Sequence, residues 1–524
     1  MIKRLFVMNA RASTPSSRPD PFPESDRPAS IPAASGARAV LEMVLRVRES
    51  VRRESERILE GWNSVMALAE FRPSVENLAS YLALRTHDLS ELQPRLSAFG
   101  LSSLGRCEGH VMANLDAVIA ALSHICVAGA ASFPADQLWA EGGLRLDAQR
   151  RALFGLNKET TAIMVTLPSE AATDPALVES FVAAGADCAR INCAHDDAAA
   201  WAAMAAHVRT AAVKLGRDCR ILMDLPGPKC RVETLSPAKP KRTHEGDRLC
   251  LAASPRQAVP GGLAVLTVSF PDVVARLPVD SRVWIDDGKI RCRVVAVEGD
   301  DRILEVVGAR AKGEKLRLEK GVNFPGLPLG LPALSADDLA ALPTIAMKAD
   351  IVGFSFVQRP QDILDLDRAI EAVRPGSPMP LVLKIETIDS VRNLPQLIIQ
   401  AAGTRPTAVM IARGDLAVEL GHLRLAEIQE EVLWLCEAAR VPVIWATQVL
   451  DELVKDGLPS RAETTDAAMA QRAECVMLNK GPHVTEAIRF LSDLMGRMER
   501  HQNKKSARLG ALHSWPLDGL AIQP

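Results

Sequence analysis

Val409-Met410-Ile411-Ala412-Arg413-Gly414-Asp415-Leu416 is an apolar run that ends abruptly in a cation, a bare backbone turn and a carboxylate. Its first half is the continuous apolar run of a strand covered on both faces. Its second half sits at a C-terminal tip, where parallel α/β folds carry their chemistry. Leu381-Val382-Leu383-Lys384-Ile385-Glu386 has the same grammar. Lys384 and Glu386 are two residues apart and so share one face of a strand. Together the two tips offer carboxylates Glu386 and Asp415 and cations Lys384 and Arg413. That set suits a divalent metal, Mg²⁺ or Mn²⁺, holding an anionic substrate.

Strand-like runs recur around these two, at 161–167, 188–194, 219–225, 350–357, 380–387, 408–414, 442–448 and 473–480. Helical patterns such as 174–184 and 425–439 lie between them. Eight strands at a repeat of about 30 residues predict an α/β fold, a (β/α)₈ TIM barrel. One interval, between the third and fourth runs, is roughly 100 residues too long for that repeat. The excess holds short β-branched runs at 282–285, 290–297 and 303–307, with Asp286-Asp287-Gly288 as a hairpin turn. It reads as a small β-barrel domain inserted after strand three, a lid over the catalytic end.

The chain has 524 residues, enough for two or three domains. Residues 1–36 are rich in Pro, Ser and Ala and read as a disordered tail. Residues 37–130 carry helical spacing at 37–68, 75–84, 89–99 and 110–125 and predict a helical module. A docking or oligomerisation cap is its simplest reading, a small ligand-binding module the other. Residues 131–156 read as a linker, 157–227 and 326–500 as the barrel, 228–325 as the insert and 501–524 as a C-terminal tail. The net charge of −2 gives no reason for a nucleic-acid surface. The ten cysteines show no C-x-x-C pair or zinc spacing, which fits a reducing cytoplasm. No apolar window reaches the ~18–20 residues of a membrane span, and the N-terminus has no secretory h-region.

Along the barrel, tip after tip carries polar residues. Strand two ends in Arg190, Asn192 and His195, and strand three in Asp224, followed by Lys229 and Arg231. Strand four offers Ser355, strand five Lys384 and Glu386, strand six Arg413 and Asp415, and strand seven Thr447 and Gln448. Charges pointing into a barrel are costly unless they pair or bind ligand. Cations and carboxylates with no nucleophilic Cys or Ser-His pair point to phosphoryl transfer or enolate stabilisation by electrostatics.

The residues as they stand resemble the pyruvate kinase family. Ala189-Arg190-Ile191-Asn192-Cys193-Ala194-His195, Asp224-Leu225-Pro226-Gly227-Pro228-Lys229-Cys230-Arg231, Asp286-Asp287-Gly288 and Lys320-Gly321-Val322-Asn323-Phe324-Pro325-Gly326 carry the resemblance. So do Ser355-Phe356, Lys384-Ile385-Glu386, Ala412-Arg413-Gly414-Asp415-Leu416, Ala446-Thr447-Gln448 and Pro459-Ser460-Arg461-Ala462-Glu463. The resemblance implies transfer of phosphoryl from phosphoenolpyruvate to ADP, giving pyruvate and ATP. It implies Glu386 and Asp415 as metal ligands, Lys384 on the migrating phosphoryl and Arg190 on the phosphate. Ser355, Lys320 and Arg413 would be further substrate contacts. The amides of Ala412, Gly414 and Asp415 would receive the substrate carboxylate, and Thr447 would face the enolate carbon. Asn192, His195 and Arg231 would face nucleotide, and Asn192 and Asp224 the monovalent cation.

Three departures from the family pattern stand out. Ala194, Leu225 and Lys229 replace the usual Ser, Thr and Glu near the potassium site, which implies that the Lys229 ammonium stands in for K⁺. Asn479-Lys480-Gly481-Pro482-His483 replaces the usual Ser-Gly-Glu-Thr that meets nucleotide. The chain stops soon after the barrel pattern, so the family's regulatory C-terminal domain is expected to be missing and a homo-oligomer to use other surfaces, such as the helical module. Two other activities keep the same site: a metal-dependent lyase or aldolase acting on a pyruvate enolate, and a non-catalytic phosphoenolpyruvate sensor.

Overall fold

The computed structural model describes residues 33–507 apart from 63–64, 66–67, 127–130, 157–160, 238–241, 257–261, 328–329, 377 and 505. Eight strands form a closed barrel: β1 Ala162–Thr166, β2 Cys188–Asn192, β3 Arg220–Asp224, β4 Ile351–Phe354, β5 Leu381–Ile385, β6 Thr407–Ala412, β7 Val443–Ala446 and β8 Cys475–Leu478. They close in the order β1-β8-β7-β6-β5-β4-β3-β2, with parallel neighbours throughout. Nearly every strand residue is buried, because helices cover the outside and side chains fill the inside. Each strand overlaps a run expected from the sequence. A typical unit is the helix Pro175–Ala184, whose first turn is capped by Asp174 and which stops at Gly185 (φ 122°).

The N-terminal module comprises α1 (Ala33–Trp62), α2 (Arg72–Leu84), α3 (Leu92–Ala98), α4 (Val111–Ile125) and α5 (Gln137–Phe154). α1 packs on α2 and α4, and α2 packs on the barrel helix His422–Ala439. The linker expected over 131–156 is instead largely α5. Leu153 and Phe154 at its end are fully buried and share the barrel-interior cluster with Leu222, Ile351 and Cys475. They plug the N-terminal end of the barrel, each stabilising it by about 2–3 kcal/mol. Two adjacent glycines and five charged residues hide this helix in the sequence. Most of the tails expected at 1–36 and 501–524 falls outside the described residues. Within those segments, α1 already begins at Ala33, and Gln502–Asn503 pairs antiparallel with Ser506–Ala507.

Between β3 and β4 the chain builds a second, seven-stranded sheet with its own core, including Val283, Cys292 and Leu304. The two ends of the ladder come together, as the small β-barrel expected from the sequence requires. Its two end strands, Val232–Ser236 and Val322–Asn323, meet at the bridge Arg231↔Gly321, flanked by Val232 N–H→Lys320 O and Val322 N–H→Cys230 O at 2.8 Å each and by Glu319 N–H→Val232 O at 2.9 Å. The turn at Asp286, Asp287 and Gly288 is left-handed throughout (φ 53°, 53° and 77°), which Asp and Gly tolerate best.

Candidate active site

The tips of β2 to β5 hold one buried polar cluster. Asp224, fully buried at the end of β3, accepts from Arg190 Nε (2.6 Å) and Nη2 (2.5 Å) through Oδ2. Arg190 Nη1 donates to Thr166 Oγ1 at the tip of β1 (3.0 Å). Lys384 Nζ lies 3.6 Å from Asp224 Oδ2 and 3.3 Å from Glu386 Oε1, and donates to Ser355 Oγ at 2.6 Å. Ser355 Oγ in turn donates a hydrogen bond to Leu225 O (2.7 Å). The backbone leaves no slack here. A Cβ on Gly353 would stand 1.8 Å from Asp224 Oδ1, and one on Gly227 2.7 Å from the Phe356 ring.

Burial and neighbouring charge pull against each other at these groups. Burial pushes the Asp224 carboxyl up, but Arg190 and Lys384 outweigh it and hold the group below its ordinary value. Burial likewise works against the Lys384 ammonium, yet Asp224 and Glu386 raise its pKa, so it stays charged. Glu386 is raised, first by burial and further by Asp415, against the pull of Lys384.

Asp415 faces this cluster from the helix Arg413–Leu420, which starts directly at the end of β6. Its Oδ1 accepts from Lys229 Nζ at 2.8 Å. The Lys229 ammonium, expected at Asn192 and Asp224, therefore sits against Asp415. Asn192 instead accepts from the Ala194 N–H (3.2 Å). Asp224 Oδ1 is buried and has no partner among the described residues.

Arg413, an expected substrate contact, is engaged within the protein. Its guanidinium forks onto Asp466 (2.5 and 2.9 Å), donates to the carbonyls of Ala446 and Thr447, and lies over the Trp445 ring. It positions the β6 and β7 tips. The expected carboxylate-binding amides are also partly occupied, because Gly414 N–H donates to Thr447 Oγ1 at 2.9 Å. Thr447 has φ 64° and Gln448 φ 56°. A β-branched residue held left-handed is strained, and such strain concentrates at functional sites.

The remaining expected residues lie further out. Lys320 pairs with Asp286 on the insert (3.3 Å), and Arg231 donates to Glu319 O (2.9 Å). His195 is pushed down by burial and then by the neighbouring cations Lys480 and Arg231, so an imidazole held toward its neutral form borders two cations there. Thr166 and Asp466 are absent from the sequence reading. Thr166 ends β1 and obeys the strand-tip rule. Asp466 lies three residues beyond the Pro459–Glu463 stretch, on the helix Arg461–Ala470.

A divalent cation, which the resemblance implies, fits Glu386 and Asp415. Both are oxygen donors at adjoining tips, and Asp415 adds to the rise of the Glu386 carboxyl, so the two lie near enough to share one cation. Among the described residues no group of three or more His, Cys, Asp or Glu could hold a metal alone. Substrate and water oxygens would have to complete the shell.

Residues 158–484 match the family model for the pyruvate kinase barrel domain. The chain is 31% identical over 330 residues to a pyruvate kinase of Mycobacterium intracellulare, covering 62% of this chain and 67% of that one. It is 31% identical over 350 residues to one of Geobacillus stearothermophilus, covering 66% and 57%. Over 335 residues it is 31% identical to one of Mycobacterium tuberculosis, covering 62% and 67%. The chain thus spans about two thirds of the mycobacterial relatives and little more than half of the Geobacillus one. With the closed barrel and the charged cluster at its strand tips, these matches place the chain in the pyruvate kinase family of phosphotransferases.

Proposed function

We propose that this chain transfers the phosphoryl group of phosphoenolpyruvate to ADP, forming pyruvate and ATP, with Mg²⁺ or Mn²⁺ and without K⁺. The observation that carries the reading is the buried Lys384 ammonium held among Asp224, Glu386 and Ser355 at the barrel mouth. A cation kept charged in a low-dielectric cleft stabilises a metaphosphate-like group as it forms. Arg190, steered by Asp224 and Thr166, presents a second fixed charge to the phosphate. Ser355 and Lys320 add lesser contacts. Thr447 and the Gly414 amide border the place where the enolate carbon takes up its proton. Glu386 and Asp415 would hold the divalent metal, which when bound supplies Lewis-acid stabilisation of the phosphoryl and enolate oxygens. Asn192, His195 and Arg231 would meet nucleotide, and Lys480 extends that edge.

Independence from K⁺ is argued from Lys229, which contributes a permanent positive charge beside Asp415. A cytoplasmic location agrees with ten free cysteines, and no described helix is long and apolar enough to cross a membrane. Association into a homo-oligomer through the helical module belongs to the same reading. The test is a coupled assay for pyruvate with phosphoenolpyruvate, ADP and Mg²⁺ or Mn²⁺, run beside Lys384→Met. The wild-type chain should exceed the variant by about 10²-fold or more. No pyruvate above the Lys384→Met level would defeat the assignment.

A further inference from the structure

Three of the four residues 447–450 hold a left-handed backbone: Thr447 (φ 64°), Gln448 (φ 56°) and Leu450 (φ 50°). None is a glycine, and each costs about 1–2 kcal/mol in that region. So strained a segment persists only where its surroundings over-determine it. Those surroundings are two carboxylates one turn apart on the helix Arg461–Ala470. Glu463 accepts from the N–H groups of Glu452 and Leu453 (2.9 and 3.0 Å), just past the strained residues. Asp466 reaches the other end through Arg413, taking Nη1 and Nη2 in a fork (2.5 and 2.9 Å). The same guanidinium donates Nε to Ala446 O (2.9 Å) and Nη2 to Thr447 O (2.6 Å), the carbonyls on either side of the Thr447 α-carbon. Its plane rests on the fully buried Trp445 ring, 4.7 Å from the centroid.

Holding this backbone also sets the polarity of the Thr447 hydroxyl. Its Oγ1 accepts from the Gly414 N–H at 2.9 Å, and it donates to nothing among the described residues. The hydroxyl hydrogen is left for a group in the barrel mouth. We propose that Asp466 is a positioning residue for the enolate step: through Arg413 it holds Thr447 so that this hydroxyl orients the water that protonates the enolate carbon. In that step a water O–H breaks and a C–H forms, the enolate electron pair enters the new bond, the carbonyl is restored, and hydroxide leaves to solvent. The inference rests on the proposed activity and adds to it a side chain that touches neither substrate nor metal.

Asp466→Asn keeps the shape of the side chain but sets an amide donor against a guanidinium donor, which halves the fork. In the full chain kcat should fall about tenfold or more. KM for phosphoenolpyruvate should stay within about threefold, because Arg190 and Lys384 are untouched. Exchange of the methyl hydrogens of pyruvate for deuterium in D₂O, with Mg²⁺ and ATP present and followed by NMR, runs the protonation backward. It should fall at least as far as kcat. Arg413→Lys keeps the charge but loses the fork, should show the same split, and decides alone if Asp466→Asn does not fold. Asn77→Ala, destabilised far from the barrel mouth, should keep the wild-type kcat, KM and exchange, which separates positioning from lost stability. Wild-type kcat and exchange in Asp466→Asn, a change confined to KM, or an equal fall in Asn77→Ala overturns the inference and leaves the activity standing. A wild-type chain that makes no pyruvate in the coupled assay defeats the activity itself, and the inference falls with it.

Discussion

Lys229 Nζ lies 2.8 Å from Asp415 Oδ1, although 186 residues separate the two in sequence. The chain leaving β3 for the inserted sheet thus places a permanent cation against a carboxylate on the far side of the barrel mouth. Burial works against this ammonium, but Asp415, with Asp287 and Glu386 behind it, raises its pKa. Lys229→Glu reverses the local charge by two units. Its activity should fall about tenfold or more without K⁺ and recover when KCl is added at constant ionic strength. The wild-type chain should be flat in the same titration. A many-fold rise of wild-type activity with KCl would contradict the role given to Lys229.

Gly353 pairs with Asp224 across the β3–β4 ladder. Ala at this position would drive its Cβ to 1.8 Å from Asp224 Oδ1, and Asp224 has no free direction to retreat. Gly353→Ala should lower stability by about 1–3 kcal/mol in denaturant melts, as overpacking does. It should also lower kcat/KM for phosphoenolpyruvate, because Asp224 aims both Arg190 and Lys384. Wild-type melting and kinetics would show that Asp224 is not the pivot of the cluster.

Glu419 sits where the barrel meets the last strand of the insert. Burial pushes its carboxyl up from 4.5 to about 7, with an opposing hydrogen bond from Asn323 and a further rise from Asp415. The folded pKa exceeds the unfolded one, so this group's stabilisation is complete below pH 4.5 and is lost as pH climbs through about 7. Glu419→Gln removes that dependence. The variant should gain on the wild type between pH 5 and 8, by about 1–2 kcal/mol after allowance for partial solvation. Parallel stability curves over that range would rule the effect out.

Asn77 ties the helical module to the barrel. Its Nδ2 donates to Glu108 O (2.7 Å) and to Ala438 O (2.8 Å), and its Oδ1 accepts from Val111 N–H (2.9 Å). Asn77→Ala strands three buried backbone groups and should cost about 2–4 kcal/mol. Limited proteolysis should then release α1–α4 before the barrel is cut. Unchanged cleavage order would mean that apolar packing alone holds the module.

The barrel is legible in the sequence because strands buried on both faces are written as continuous apolar runs, and the helices between them keep the spacing regular. Lys384 and Glu386 are legible for the same reason, since strand parity puts them on one face. Parity fails one residue past Ala412. There the chain is already helical, so Arg413 turns out of the mouth toward Asp466 and only Asp415 faces in. The Lys229–Asp415 pair is illegible because nothing local in either segment specifies the other. α5 is missed because it seals a barrel end with two residues, Leu153 and Phe154, and its remaining turns carry charges and glycines.

The stem at Arg231↔Gly321 also bears on how such a molecule could arise. The chain enters and leaves the inserted sheet at neighbouring points, so β3 and β4 could be rejoined there by a turn of a few residues. Closing so short a loop carries only a small entropic penalty. The seven-stranded sheet is therefore a graft. It is removable in principle without rethreading the barrel, but Lys229, Arg231 and Lys320 would leave with it.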